Sequence, residues 1–169
     1  VRFGFLLLRL TLVIAVLGLP VASLAEYTAR TNYVLHCQGC HGEDGIGGTP
    51  GEVPPLAESV GWFLRVPGGR AYLAQVPGAA NAPIDDAALA GVLNYVIATW
   101  SGEQAGTDFR PYDAAEVAAV RRQQPDVVTL RSSLVQTLRQ RFGVELWQSD
   151  LDREAGWRGA EPSSGSLKP

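Results

Sequence analysis

The sequence predicts an all-α chain, and three patterns carry that expectation. Ala29, Tyr33 and Cys37 recur at four-residue spacing, which puts them on one face of a helix. Leu89, Leu93, Val96 and Trp100 form an apolar stripe of helical period behind Asp85, a residue suited to capping a helix start. Val127, Leu130, Leu134, Leu138 and Phe142 repeat that period further along. Hydrophobic residues make up 46% of the 169 and charged residues 18%, a composition that folds. The formal net charge of -3 gives no basis for a nucleic-acid partner.

The chain starts with Arg2 and Arg9 around an apolar run from Phe3 to Leu19, broken by Pro20 and followed by the small residues Ser23 and Ala25. A charged start, a short apolar centre and a small-x-small end are the parts of a secretory signal peptide, read here as residues 1–25. The alternative is an uncleaved anchor. Against it, Arg9 leaves only about 10 strongly apolar residues before Pro20, where a spanning helix needs about 20. Cleavage removes both arginines and takes the net charge to about -5.

All of the chain's Cys and His, two of each, fall within Leu35-His36-Cys37-Gln38-Gly39-Cys40-His41-Gly42. Cys-x-x-Cys-His is the attachment signature for c-type haem. Two thiols three apart on one helical turn reach the vinyl groups along one edge of a porphyrin, and the next residue aims an imidazole at the iron. Gly39 is expected to keep bulk out of that turn. Cys37 and Cys40 are therefore the expected attachment points of one covalent haem c, and His41 the expected iron ligand. Other readings fit less well. A thioredoxin-like pair needs a βαβ context, and the flanks read as helical. A disulfide here closes too short a loop to remove much chain entropy. A Cys2His2 zinc site would force four ligands into little more than one turn. His36 adjoins Cys37 and cannot reach the opposite face of the same ring, so it is not expected to be a ligand.

The stretch from Tyr27 to Trp100 resembles the class I cytochrome c family. The resemblance rests on Cys37-Gln38-Gly39-Cys40-His41-Gly42, the Gly-rich Glu43 to Gly48, Pro54-Pro55-Leu56, and Leu89 to Val96 as the closing helix. Gly69 to Gly78 resembles a subgroup of short bacterial periplasmic cytochromes. The resemblance implies a cytochrome c-like helical domain over 26–102 in which the first and last core helices cross, here with small residues such as Ala90 and Gly91 at the contact. It also implies a Pro carbonyl that accepts from the free ring nitrogen of His41. Pro54 and Pro55 are the candidates, with Pro55 taken as the cofactor-binding residue. Such a bond orients the imidazole and raises its basicity.

The elements between follow in order. Gly42 to Pro55 reads as a Gly- and Pro-rich loop around the haem edge. Ser59 to Arg65 and Arg70 to Val76 read as short helices separated by Pro67-Gly68-Gly69, and Arg65 and Arg70 are candidates for pairing with haem propionates. Asp86 favours the first turn of the next helix, and Gly102 stops it.

The family's usual distal ligand is a Met before the last helix, but this sequence contains no Met. The corresponding loop, Val76 to Ile84, holds no Met, His or Lys. Asn81 is its nearest polar side chain and the candidate distal contact, with an open or water-bound iron as the alternative. Loss of a thioether ligand is expected to lower the reduction potential.

Beyond Trp100, Gly102 to Tyr112 reads as a linker. Asp113 can cap a helix that Pro125 ends, and the Val127 to Phe142 stripe follows, giving a helical extension over 103–145 that is expected to pack on the domain. Docking a redox partner, or lying on a membrane surface, are its alternatives. Residues 146–169 read as a tail rich in Gly, Ser and Pro. No general acid, base or nucleophile constellation is visible. The expected function is one-electron carriage in the periplasm, with a dehydrogenase or an oxidase as partner. The alternative is small-ligand (gas) binding or sensing at an open iron. A peroxidase reading lacks a distal His or Arg.

Overall fold

The structure is a computed structural model and describes residues 22–47 and 53–146. The expected signal peptide up to Val21 and the expected tail from Trp147 onward lie outside these residues. Among the described residues the fold is all-helical. Helix α1 (Ala22–His36) leads into the short α2 (Gln38–His41), and a 3-10 turn covers Val60–Arg65. Helices α3 (Gly69–Gln75) and α4 (Pro77–Ala80) precede the long α5 (Asp86–Trp100). A second 3-10 turn (Gly102–Ala105), α6 (Ala114–Arg121) and α7 (Val127–Phe142) complete it.

The caps explain where the helices begin. Asp85 accepts the Ala88 N–H at 2.7 Å and opens α5. Asp113 accepts the Glu116 N–H at 2.8 Å and opens α6. Asp126, one residue after the interrupting Pro125, accepts from the Val128 and Thr129 amides and the Thr129 hydroxyl and opens α7. Each bond satisfies an amide that the first helical turn leaves without a partner.

Helices α1 and α5 pack against each other, as the family resemblance implies. Ala29 and Ala90 are both buried. A Cβ on Gly91 would stand 3.6 Å from the Ala29 Cβ, an ordinary contact, so this crossing does not depend on glycine. Aromatic rings fill its C-terminal end. Tyr33 lies 4.9 Å from Trp100 and 5.7 Å from Tyr95, centroid to centroid.

Two stretches are more ordered than the sequence suggests. The Val76 to Ile84 loop contains the helical turn α4, with Pro77 at its start, where a missing N–H costs nothing. Within the linker, the turn Gly102–Ala105 packs on Val60–Arg65, and the Asn94 amide clamps the Tyr112 backbone with bonds of 2.9 and 2.7 Å.

The extension shares the core. Val117, Leu134, Val135 and Leu138 belong to the same buried cluster as Phe63, Tyr72 and Leu93. Of the α7 stripe, Leu134 and Leu138 are buried and Phe142 is exposed; Val135, which the stripe omits, is fully buried.

Candidate haem site

The motif is built as one tight turn. The Cys37 carbonyl accepts the N–H groups of both Cys40 (3.2 Å) and His41 (3.0 Å), and the Gln38 carbonyl accepts that of Gly42 at 2.8 Å. From α1 the buried Tyr33 donates its hydroxyl to the Gly42 carbonyl at 2.7 Å, which pins the end of the motif to the helix that precedes it. Burial, then the neighbouring Cys37, Tyr95 and Asp44, pushes the Tyr33 phenol up to about 12, so it stays a donor at physiological pH. Gly42, Gly45 and Gly47 turn the following loop with positive φ. Gly45 lies under Trp100, where a Cβ would come within 2.8 Å of the indole, and its carbonyl accepts Leu56 and Ala57 amides. Gly39 meets no protein atom where a Cβ would stand, so packing within the chain does not require glycine there.

Both cysteines are free thiols, Cys37 half-buried and Cys40 exposed. Burial, then proximity to Cys40, raises the Cys37 thiol above its ordinary value. Burial lowers the His41 imidazole, and the Pro54 backbone opposes this. The Nδ1 atom of His41 is buried and makes no hydrogen bond of good geometry, although Pro54 lies on that side. Both prolines line the cavity; the Pro54 backbone acts on the imidazole, and the Pro55 carbonyl accepts the Ser59 hydroxyl.

The two thiols and the imidazole open onto one cavity of about 340 Å³. Leu89, Val92, Leu93 and Val96 of α5 form its apolar floor. Val53, Pro54, Pro55 and Leu56 line it from the loop after the motif. Val60, Phe63, Tyr72 and Leu73 close a third side. A mostly apolar cavity of this size with a few convergent polar groups is the usual form of a cofactor site. Two thiols and a half-buried imidazole at its edge match the donors that a covalent haem needs.

The structure places three of the candidate contacts outside the cavity wall. Asn81, at the end of α4, is exposed and does not line the cavity, whereas Val76, Gly78, Ala79 and Ala82 of its loop do. Arg70 is paired with Glu116, its guanidinium 3.8 Å above the Tyr112 ring. Arg65 lies over Phe142 and donates to the Gln104 carbonyl at 3.4 Å. Neither arginine lines the cavity. His36 is exposed and lies at the rim.

Two residues of the extension enter the site's surroundings without having been singled out. Arg131 of α7 lines the cavity itself. Arg121 of α6 donates to the carbonyls of Ala80 (2.9 Å), Ile84 (2.7 Å) and Ala82, and also to Asp86 (3.2 Å), so it holds the Val76 to Ile84 loop. The only sequence signal for either is an arginine on a helix with an apolar stripe, a pattern that solvated residues share.

Two cytochromes c-552 from Thermus thermophilus are similar to this chain. Each is 33% identical over 103 residues; the match takes in 50% of this chain and 78% and 69% of the respective relatives. The chain belongs to the c-type cytochrome family. No family model matches this cytochrome, and no solved structure matches it. The cytochrome's motif turn, packed α1 and α5 and apolar cavity occupy 22–100, and Arg131 of α7 lines the cavity from outside that range. No helix among the described residues is long and apolar enough to cross a membrane.

Proposed function

We propose that this cytochrome is an exported one-electron carrier of the periplasm, holding a single haem c through thioether bonds to Cys37 and Cys40, with His41 as iron ligand. One observation carries the reading: both thiols and the imidazole open onto the same apolar cavity. The haem supplies the electron chemistry when bound. The chain's residues hold and shield it. Tyr33 and the Cys37 carbonyl fix the motif turn, Pro54 stands beside the imidazole, and the α5 floor excludes water. Cys40 and His36 keep one edge near solvent, where a redox partner can approach. That partner is a periplasmic dehydrogenase or oxidase. The test is extraction of the exported protein with acidified organic solvent. Colour that stays with the polypeptide, and an intact mass of the chain from Glu26 plus one haem, support the reading. Colour that extracts completely defeats it.

A second reading, binding or sensing of a small gas at the iron, is favoured by one feature. The loop facing the cavity where the family's Met would lie presents Val76, Ala79 and Ala82, none of which is a metal ligand. Rapid carbon monoxide binding by the reduced protein, with a high-spin ferric form, supports this reading. A wholly low-spin protein that binds no carbon monoxide supports electron carriage alone.

A further inference from the structure

We infer that Tyr72 supplies the distal iron ligand of this cytochrome, its phenol oxygen taking the place of the family's Met sulfur; this rests on the haem reading above. The cavity wall narrows the choice. The Val76 to Ile84 loop contributes Val76, Gly78, Ala79 and Ala82 to it, and none of these side chains binds a metal. Cys37, Cys40 and His41 are used by attachment and proximal ligation. His36 adjoins Cys37 and is exposed at the rim. The Tyr33 hydroxyl donates to the carbonyl of Gly42, the residue after His41, and so belongs to the motif's own side. The Ser59 hydroxyl donates to the Pro55 carbonyl. An arginine offers no lone pair. Among the described residues that line the cavity, Tyr72 is the remaining side chain with an oxygen to give.

Its setting agrees with that role. Tyr72 stands in α3, and its carbonyl accepts the Val76 amide at 3.1 Å, so its ring precedes by one turn the loop where the resemblance puts the Met. The residue is buried, and its ring stacks on Phe63 with centroids 5.1 Å apart, which fixes the phenol. Its hydroxyl accepts where those of Tyr33 and Ser59 donate: the Arg131 Nη1 gives it an N–H at 3.2 Å. An oxygen that accepts one such bond keeps a second lone pair for a metal. Ferric iron takes a phenol as the phenolate. The oxygen–iron bond forms, the O–H bond breaks, the proton passes to water and no electron moves. A charge-assisted bond from a guanidinium stabilises the negative charge that the oxygen then carries. A tyrosine oxygen is a haem ligand in other folds, and axial ligand identity sets the potential. An anionic oxygen favours ferric over ferrous iron, so Tyr72 lowers the potential.

The test is resonance Raman spectroscopy of the ferric holoprotein, excited where a phenolate-to-iron charge transfer absorbs. The parent is expected to show enhanced phenolate ring modes that shift when the protein is made with ring-deuterated tyrosine. Tyr72→Phe keeps the ring that stacks on Phe63 and removes only the oxygen. It is expected to lose these modes and to move the ferric–ferrous equilibrium toward ferrous by about tenfold, which is about 59 mV for one electron. Tyr27→Phe, at a tyrosine 71% exposed on α1, keeps the parent's modes and potential. Where Tyr72→Phe fails to mature, Arg131→Leu serves: loss of the donor to the Tyr72 oxygen moves the frequency of the phenolate modes, and unmoved modes overturn the inference. So do phenolate modes that survive in Tyr72→Phe, and so does a ferric parent without them, the result that an open or water-bound iron gives. Failure of the haem reading looks different: the parent protein then carries no covalent haem at all.

Discussion

Glu116 shows how one side chain of the extension is made sensitive to pH. Its carboxylate accepts Arg70 through Nε and through Nη2 at 2.8 Å, and Arg110 approaches at 3.2 Å. The Arg70 hydrogen bonds, more than the general positive field, hold it below the usual glutamate value of 4.5. A carboxyl lowered on folding contributes its stability above the unfolded value, and that stability is lost as the pH falls through the folded value. Glu116→Gln is therefore expected to be less stable than the parent at neutral pH, by about 1 kcal/mol given solvent screening. The gap closes on acidification below the ordinary glutamate range; denaturant melts across that range check it. Asn81 gives a second expectation. Because it is exposed and outside the cavity wall, Asn81→Ala should leave the ferric spectrum of the holoprotein unchanged. A changed spectrum would restore it as an iron contact. The contrast between Asn81 and His41 shows which residues a sequence exposes to reading. Covalent attachment demands a fixed spacing of Cys37, Cys40 and His41, and that spacing is local. Which way Asn81 points depends on where α4 ends, and no periodicity encodes that. Pro54 and Pro55 differ for the same reason: adjacent carbonyls point in different directions, and the chain path alone decides which meets the imidazole.

At the scale of elements, glycine separates tolerant contacts from intolerant ones. In the α1–α5 crossing a Cβ on Gly91 has room, so Gly91→Ala should be neutral or stabilising by up to about 1 kcal/mol through helix propensity. At the start of α3 the opposite holds. A Cβ on Gly69 would stand 1.9 Å from the Phe63 carbonyl oxygen, a clash with backbone, so Gly69→Ala should move the 3-10 turn Val60–Arg65 and destabilise the protein by several kcal/mol. Thermal melts of the two variants under one set of conditions check both directions. The long helices were legible because capping and period are local properties: Asp85, Asp113 and Asp126 stand where the helices begin. The role of α6 was not legible. Arg121 binds carbonyls of residues 80–84, and a contact between sites so distant in sequence leaves no local pattern. Since three carbonyls share this one side chain, Arg121→Gln takes a donor from each, and of the three only the Ala82 carbonyl also accepts a backbone amide, that of Ile84. Its loop should loosen, and carbon monoxide should bind the reduced variant faster than the parent. An unchanged rate would mean that the loop is held by its own α4 turn.

For the molecule as a whole, the question is whether the extension is a separate piece or part of the haem domain. Leu138 and Val135 are fully buried, and they belong to the same apolar cluster as Phe63 and Tyr72, which line the cavity. Fully burying a side chain of this size contributes about 1.5–3 kcal/mol, and small domains are stable by only about 5–15 kcal/mol in total. Losing the α7 contacts would therefore consume much of the stability of the haem domain. Leu138→Ala, which opens a void in this shared cluster, is expected to cost about 2–5 kcal/mol. Val128, 64% exposed on the same helix, gives the comparison: Val128→Ala should cost little, about 0.5 kcal/mol or less. The decisive measurement is the form of the transition. Far-ultraviolet dichroism reports all the helices, whereas haem absorbance reports only the surroundings of the cofactor. In one cooperative unit, Leu138→Ala moves both signals to the same lower midpoint, because α7 cannot leave without uncovering the wall that carries Tyr72 and Phe63. If dichroism falls early while haem absorbance keeps the parent's midpoint, α7 unfolds alone. The extension would then be an appended module that rests on the cytochrome without sharing its stability.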